Sequence, residues 1–173
     1  VPGKDAERCP YVAGINGSLG AIFPTLIKGE KVTQPSFRYT FVNCANLKGT
    51  IPSDLFKGIY GQPQTAMFMG TFQDDYQLEG SIPSDLFAGI KGEYTANLFH
   101  DTFMFCRKLN GSIPENLFGD LGGSPKRQMF EGTFRGCSGL TGSIPENLFG
   151  KIDGAPAERM FEHTFAGCTE IEG

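Results

Sequence analysis

Five phenylalanines, Phe37, Phe68, Phe99, Phe130 and Phe161, follow one another at a constant step of 31 residues. Thr40, Thr71, Thr102, Thr133 and Thr164 keep that step, as do Phe41, Phe72, Phe103, Phe134 and Phe165. The ladder continues through Leu47, Leu78, Leu109, Leu140 and Ile171, through Gly49, Gly80, Gly111, Gly142 and Gly173, and through Ile51-Pro52, Ile82-Pro83, Ile113-Pro114 and Ile144-Pro145. Leu55-Phe56, Leu86-Phe87, Leu117-Phe118 and Leu148-Phe149 complete it, leaving only Phe23 and Phe105 of the 16 phenylalanines outside the three Phe ladders. Residues 37–173 are thus four full units and a partial fifth on one template. A period of this length belongs to arrays in which one unit cannot bury its own apolar face and its neighbours complete the core. Residues 1–36 fit the template only with insertions, at Cys9, Gly17, Leu19, Phe23 and Ile27, and read as a degenerate N-terminal cap.

Within a unit, Leu140-Thr141-Gly142-Ser143-Ile144 alternates with the period of a short strand, Leu140, Gly142 and Ile144 inward. Pro145 suits the first turn of a helix, and Glu146-Asn147, like Ser53-Asp54 and Ser84-Asp85, supplies acceptors for that turn's free N–H groups. Leu148-Phe149 and Ile152 give this predicted helix its apolar face, and Gly150 or Gly154 ends it. After a variable loop, Phe161 and Phe165 stand at i and i+4, the spacing of one side of a second short helix.

Phe134-Arg135-Gly136-Cys137-Ser138-Gly139-Leu140, running on to Ile144-Pro145, resembles the A-F-x-G-C-x-x-L-x-x-I-x-I-P pattern of BspA-like (Treponema-type) leucine-rich repeats. Phe165-Ala166-Gly167-Cys168 begins the same pattern, and Phe41-Val42-Asn43-Cys44 through Leu47 matches it more loosely. The unit is longer than that family's, with an added segment between Phe149 and Met160. Leu140-Thr141-Gly142-Ser143-Ile144-Pro145 is also similar to the L-x-G-x-I-P segment of plant-type leucine-rich repeats. Both resemblances imply a right-handed, leucine-rich-repeat-like solenoid. With the elements above, the expected class is an α/β repeat with one short strand and one or two short helices per coil. The BspA-like resemblance further implies a bacterial protein, secreted or at the cell surface, that acts in adhesion or protein–protein interaction and carries no catalytic residues.

Charge narrows the partners. Fifteen Lys+Arg against 19 Asp+Glu give a net −4, and no basic stretch is long enough to follow a phosphate backbone, so nucleic acid is not expected. No run of about 18 apolar residues is present, so no membrane insertion is expected. The start, Val1-Pro2-Gly3-Lys4-Asp5, lacks Met and an apolar segment and reads as a processed or trimmed end with any export signal gone. At the other end the chain stops just after Ile171 begins a strand, which is expected to expose apolar surface that further chain or a partner covers.

Five cysteines cannot all pair within the chain. Cys44, Cys106, Cys137 and Cys168 share one template position, with Asp75 in the second unit. Strung one per coil, they do not converge as metal ligands must. A disulfide joining Cys106 to Cys137 or Cys137 to Cys168 stays open, but small buried free thiols are the favoured reading. Asp75 suggests that this position lies near solvent. His100, Asp101 and Cys106 are the best available catalytic grouping and lack a shared geometry with His163, so no enzyme is expected. Asp54, Asp85, Asn116 and Asn147 stack in register, but one oxygen donor per coil reads as capping rather than a calcium site. No cofactor and no metal are expected.

What remains is surface. The outward strand positions Lys48, Thr50, Glu79, Ser81, Asn110, Ser112, Thr141 and Ser143 form the expected ligand-binding face, and Tyr60, Tyr94, Lys126 and Arg127 mark a row of loop contacts. The leading expectation is a non-enzymatic module that holds a protein or glycan. The alternative is a structural subunit that self-associates head to tail through its C-terminal coil into a fibre or surface layer. An ice- or mineral-binding role for the hydroxyl column Thr50-Ser81-Ser112-Ser143 is weakened by Lys48 and Glu79 on its flank.

Overall fold

The computed structural model describes residues 11–19, 36–149 and 151–172. The 31-residue units lie one on the next in chain order. Along the first Phe ladder each ring stacks on the following one at 5.7–5.8 Å, and along the second at 5.5–5.7 Å. Rings of the third series wedge between rungs of the first: Phe87 is 4.6 Å from Phe68 and 5.0 Å from Phe99, and Phe118 is 4.6 Å from Phe99 and 4.7 Å from Phe130. Tilted and offset contacts of this kind favour aromatic rings beyond the area they bury. Leu47, Leu78, Leu109 and Leu140 belong to the same core and are fully buried.

Backbone hydrogen bonds tie unit to unit along three lines. On the first, Gly49 bridges Leu78, strand β1 (Glu79–Gly80) pairs parallel with β3 (Lys108–Leu109), Gly111 bridges Leu140, and β5 (Thr141–Ser143) pairs with β6 (Glu170–Glu172). On the second, Gly61 bridges Ile90, β2 (Lys91–Glu93) pairs with β4 (Asp120–Gly122), and Gly123 bridges Ile152. The second line runs through what the sequence presents as a helix end and a variable loop.

The third line corrects the expected fold class. Among the described residues there is no α-helix, and a single 3-10 position falls at Leu19, so the α/β architecture with helices in each coil does not hold. In the segment read as the second helix, Ala66, Phe68, Gly70, Phe72 and Asp74 donate across to the carbonyls of Ala96, Leu98, His100, Thr102 and Met104. The alternate residues Met67, Met69, Thr71, Gln73 and Asp75 donate three residues back within their own unit. An α-helix would spend every N–H internally. Here half of them bind the neighbour, and every fourth residue is left-handed: Ala66, Gly70 and Asp74, then Asn97, Asp101 and Phe105, then Gln128, Gly132 and Gly136. A chain of turns with a four-residue period puts side chains on one wall at i and i+4, the very spacing that imitates a helix. The other segment is shorter still. Leu55 and Lys57 bond back to Pro52 and Asp54, and Gly58 at φ 95° turns the chain before a helix can grow. The Asp54 column therefore caps no helix.

Of the predicted cap on residues 1–36, residues 1–10 and 20–35 lie outside the described residues, Cys9, Phe23 and Ile27 among them. Residues 11–19 lie against the first unit. Lys48 N–H donates to the Ala13 carbonyl at 3.1 Å, as Glu79, Asn110 and Thr141 donate to Gly49, Gly80 and Gly111. Ala13 thus takes the place of a preceding strand, and Val12, Ile15 and Leu19 pack on the core.

Candidate interaction surface

The first line of strands displays the predicted face. Lys48, Thr50, Glu79, Ser81, Asn110, Ser112, Thr141 and Ser143 are all exposed. The hydroxyl column does not stand alone: Thr50, Ser81 and Ser112 share an open groove of about 750 Å³ with Ser53, Ser84 and Asp85. The sequence hides this partnership, because Ser53, Ser84 and Asp85 occupy positions that there read as helix starts. With no helix to cap, these side chains are free to face the groove.

The loop row is only partly a surface. Tyr60 is half exposed, Arg127 is exposed and Lys126 half-buried. Tyr94 is 3% exposed, with its ring edge-on to Phe130 at 5.7 Å, and is a core residue rather than a contact. Its position one residue past β2 aims it inward, while Gln62 braces the same strand through Nε2 to the Glu93 carbonyl at 2.7 Å and Oε1 from the Glu93 N–H at 2.8 Å. Burial pushes the Tyr94 phenol from 10.0 up to about 12. A raised phenol pKa means that the fold favours the neutral form. The contribution is complete below pH 10 and is lost as pH climbs through 12. In an absorbance titration of the five tyrosines, one is expected to ionise only above pH 11 or together with unfolding; five superposed transitions near pH 10 would refute this.

The cysteine column holds free thiols at Cys44, Cys106, Cys137 and Cys168. Each later Sγ–H donates to a carbonyl of an earlier unit, Cys106 to Phe72 at 3.0 Å, Cys137 to Phe103 at 2.9 Å and Cys168 to Phe134 at 3.0 Å. Asp75 is fully buried, not near solvent, and its Oδ1 accepts the Cys44 N–H at 2.8 Å. Burial is the main cause that pushes the Cys106, Cys137 and Cys168 thiols up, away from the reactive thiolate. Cys168 is the least enclosed of them. In alkylation followed by mass spectrometry at pH 8, Cys168 is expected to label at least tenfold faster than Cys44, Cys106 and Cys137. Equal rates in the folded protein would contradict this arrangement.

A ladder that the sequence displays but does not explain is the threonine series. Thr71, Thr102 and Thr133 are fully buried, and each hydroxyl reaches the Phe carbonyl of the unit before at 2.9 Å. Hydroxyl donors pointing back along the stack give each interface a directional bond that a valine of the same shape would lack.

No catalytic grouping forms from the sequence candidates. His100 Nε2 lies 3.2 Å from Asp101 Oδ2, but the Cys106 thiol is committed to Phe72, and His163 sits exposed beside Glu162. Glu131, 7% exposed, accepts from Gln128 at 2.6 Å and from the exposed Arg159 at 2.5 Å, contacts that the sequence does not signal. Among the described residues, no three His, Cys, Asp or Glu side chains are grouped to hold a metal ion, and no helix is long and apolar enough to cross a membrane. Lys151 and Asp120 pair across two units at the exposed edge of the second line, and that hydrogen bond holds Asp120 below the usual carboxylate range.

No family model, curated protein or solved structure matches the chain. The likeness to BspA-like leucine-rich repeats therefore rests on the motif alone, and the described backbone gives it no helices to share.

Proposed function

We propose that the chain is a non-enzymatic binding module of a secreted or surface protein, and that it holds an extended protein or glycan segment along the strand face. The observation that carries this reading is the groove in which Thr50, Ser81 and Ser112 recur one per unit and to whose lining Ser53, Ser84 and Asp85 add further polar side chains. A rigid row of donors and acceptors at the repeat spacing suits a polymer with its own regular spacing, because several weak bonds then form without ordering the protein. Head-to-tail stacking is the less favoured alternative, since Phe37 and Phe41 at the first unit are already covered.

Glycan and peptide arrays probed with the chain and with a Thr50→Glu, Ser81→Glu, Ser112→Glu variant test the reading. The variant is expected to stay folded, since the three side chains are exposed, and to lose at least tenfold in affinity for whatever the chain retains. Unchanged retention by the variant would remove the groove from the function.

A further inference from the structure

One place in the template is built twice, closed between the third and fourth units and open between the first and second. In the closed copy, Glu115, Asn116, Phe118, Asn147, Leu148 and Lys151 line a space of only about 30 Å³. Asn147 Nδ2 there donates to Glu115 Oε1 at 3.1 Å, and Lys151 pairs with Asp120. Two template steps earlier, Ser53 stands for Glu115, Asp54 for Asn116, Asp85 for Asn147, and Gly58 and Gly89 for Asp120 and Lys151. With glycine at both of the last two positions no ion pair can form, and the same place is a hollow of about 260 Å³.

The lining of the open copy is mixed. Phe56 and Leu86, both buried, give it an apolar floor. Tyr60, whose template equivalents are Lys91, Gly122 and Asp153, is half exposed and stands so near Gly89 that an added Cβ would lie 3.0 Å from its Cδ1. Ser53, Asp54, Lys57 and Asp85 complete the lining and are exposed. Among the described residues, the ion pairs include neither carboxylate and not Lys57. Ser53 and Asp85 also line the strand-face groove, so the hollow is a side chamber of it.

The chemistry of this lining selects its occupant. Carboxylates only accept hydrogen bonds and an ammonium only donates them. A Lys or Arg side chain would suit Tyr60 and the carboxylates but would be repelled by Lys57. An apolar side chain would leave the charged groups without partners, which is costly as water is excluded. A sugar hydroxyl donates and accepts at once, and the C–H face of a sugar ring lies well on an aromatic ring. We propose that the hollow is a subsite for one neutral hexose ring, with Tyr60 carrying its C–H face, Asp54 and Asp85 accepting from its hydroxyls and Lys57 donating to them. The inference rests on the strand-face reading for the rest of the polymer, and it commits that reading to a glycan rather than a peptide.

The test is NMR of the full chain titrated with the methyl glycosides of glucose, galactose and mannose. At least one is expected to shift the Gly58 and Gly89 amides and the Tyr60 ring saturably at millimolar concentration. Tyr60→Ala and, separately, Asp54→Ala are expected to weaken that binding at least tenfold while the rest of the amide spectrum stays in place. The Thr50→Glu, Ser81→Glu, Ser112→Glu variant is expected to keep it, because none of those residues lines the hollow. If that variant also keeps the longer glycans, the groove reading fails and the hollow stands. If neither Tyr60→Ala nor Asp54→Ala weakens the hexoside, or if none of the three sugars gives a saturable shift, the hollow is removed and the groove is untouched. Tighter binding of an N-acetylated arginine amide at the same amides would assign the hollow to a basic side chain of a peptide and overturn the proposal.

Discussion

Phe99→Ala is expected to lower the stability of the chain by about 3–5 kcal/mol, the range for deleting a buried aromatic ring from a packed core. Phe99 is fully buried at the middle of the first ladder, with Phe68 and Phe130 stacked at 5.7 Å on either side. Phe87 and Phe118 touch it at 5.0 and 4.6 Å, so four aromatic partners lose a contact at once. Stability in a stacked array is a sum of unit terms and nearest-neighbour terms, so a hole at an inner interface weakens the coupling of the units on both sides. Phe161→Ala is the control. That ring stacks on Phe130 and touches Phe149, stands 39% exposed, and is expected to cost less than half as much. Urea unfolding of the two variants beside the parent separates the cases. Equal losses would mean that the ladder is not the source of cohesion. A broadened or two-step transition in Phe99→Ala alone would locate the uncoupling at the third unit.

The ladder was legible because a period copies every constraint. Any position that must be Phe in one unit must be Phe in all, and the buried wall of Leu47, Leu78, Leu109 and Leu140 follows the same rule. The exposed strand residues were legible for the complementary reason, since polar side chains between buried leucines have only one way to point. What the sequence concealed is backbone conformation. Phe161 and Phe165 at i and i+4 are compatible with a helix and with a four-residue chain of turns, and side-chain spacing alone does not distinguish them. Left-handed positions would have done so had they all been glycine. Instead Ala66, Asn97, Gln128 and Arg159 occupy one such column, and only Gly70 and Gly132 advertise the next. A left-handed L-residue costs about 1–2 kcal/mol. The N–H bonds to the next unit offset that cost, and they are invisible until the units are stacked. Tyr94 misled for a similar reason: its neighbours vary as a loop does, yet it follows a strand that turns its ring onto Phe130. Asp75 misled through its charge, although its carboxylate does for the Cys44 N–H what the column requires.

Gly119→Ala is the second large effect, expected to cost about 2–5 kcal/mol, and it tests the backbone where Phe99 tests the core. Gly119 has φ +66°, so any Cβ carries the left-handed penalty of about 1–2 kcal/mol. The added methyl would also lie 2.5 Å from the Phe87 carbonyl oxygen and 2.9 Å from that of Ile90, and main chain cannot swing aside as a side chain can. Overpacking of this kind costs about 1–3 kcal/mol more. The consequence is specific, because the Ile90 oxygen accepts the Asp120 N–H at 3.2 Å and so opens the pairing of β2 with β4. Gly49→Ala isolates the first contribution: φ is +85° there, but nothing lies within 4 Å of the new methyl, so only the conformational penalty of about 1–2 kcal/mol is expected. Thermal unfolding gives the two magnitudes, and exchange of the Asp120 amide gives the mechanism. In Gly119→Ala that amide is expected to lose protection ahead of its neighbours on the first line of strands, such as Asn110. If both lose it together, the second line is not an independent tie between units, and the account of three separate hydrogen-bonded lines fails.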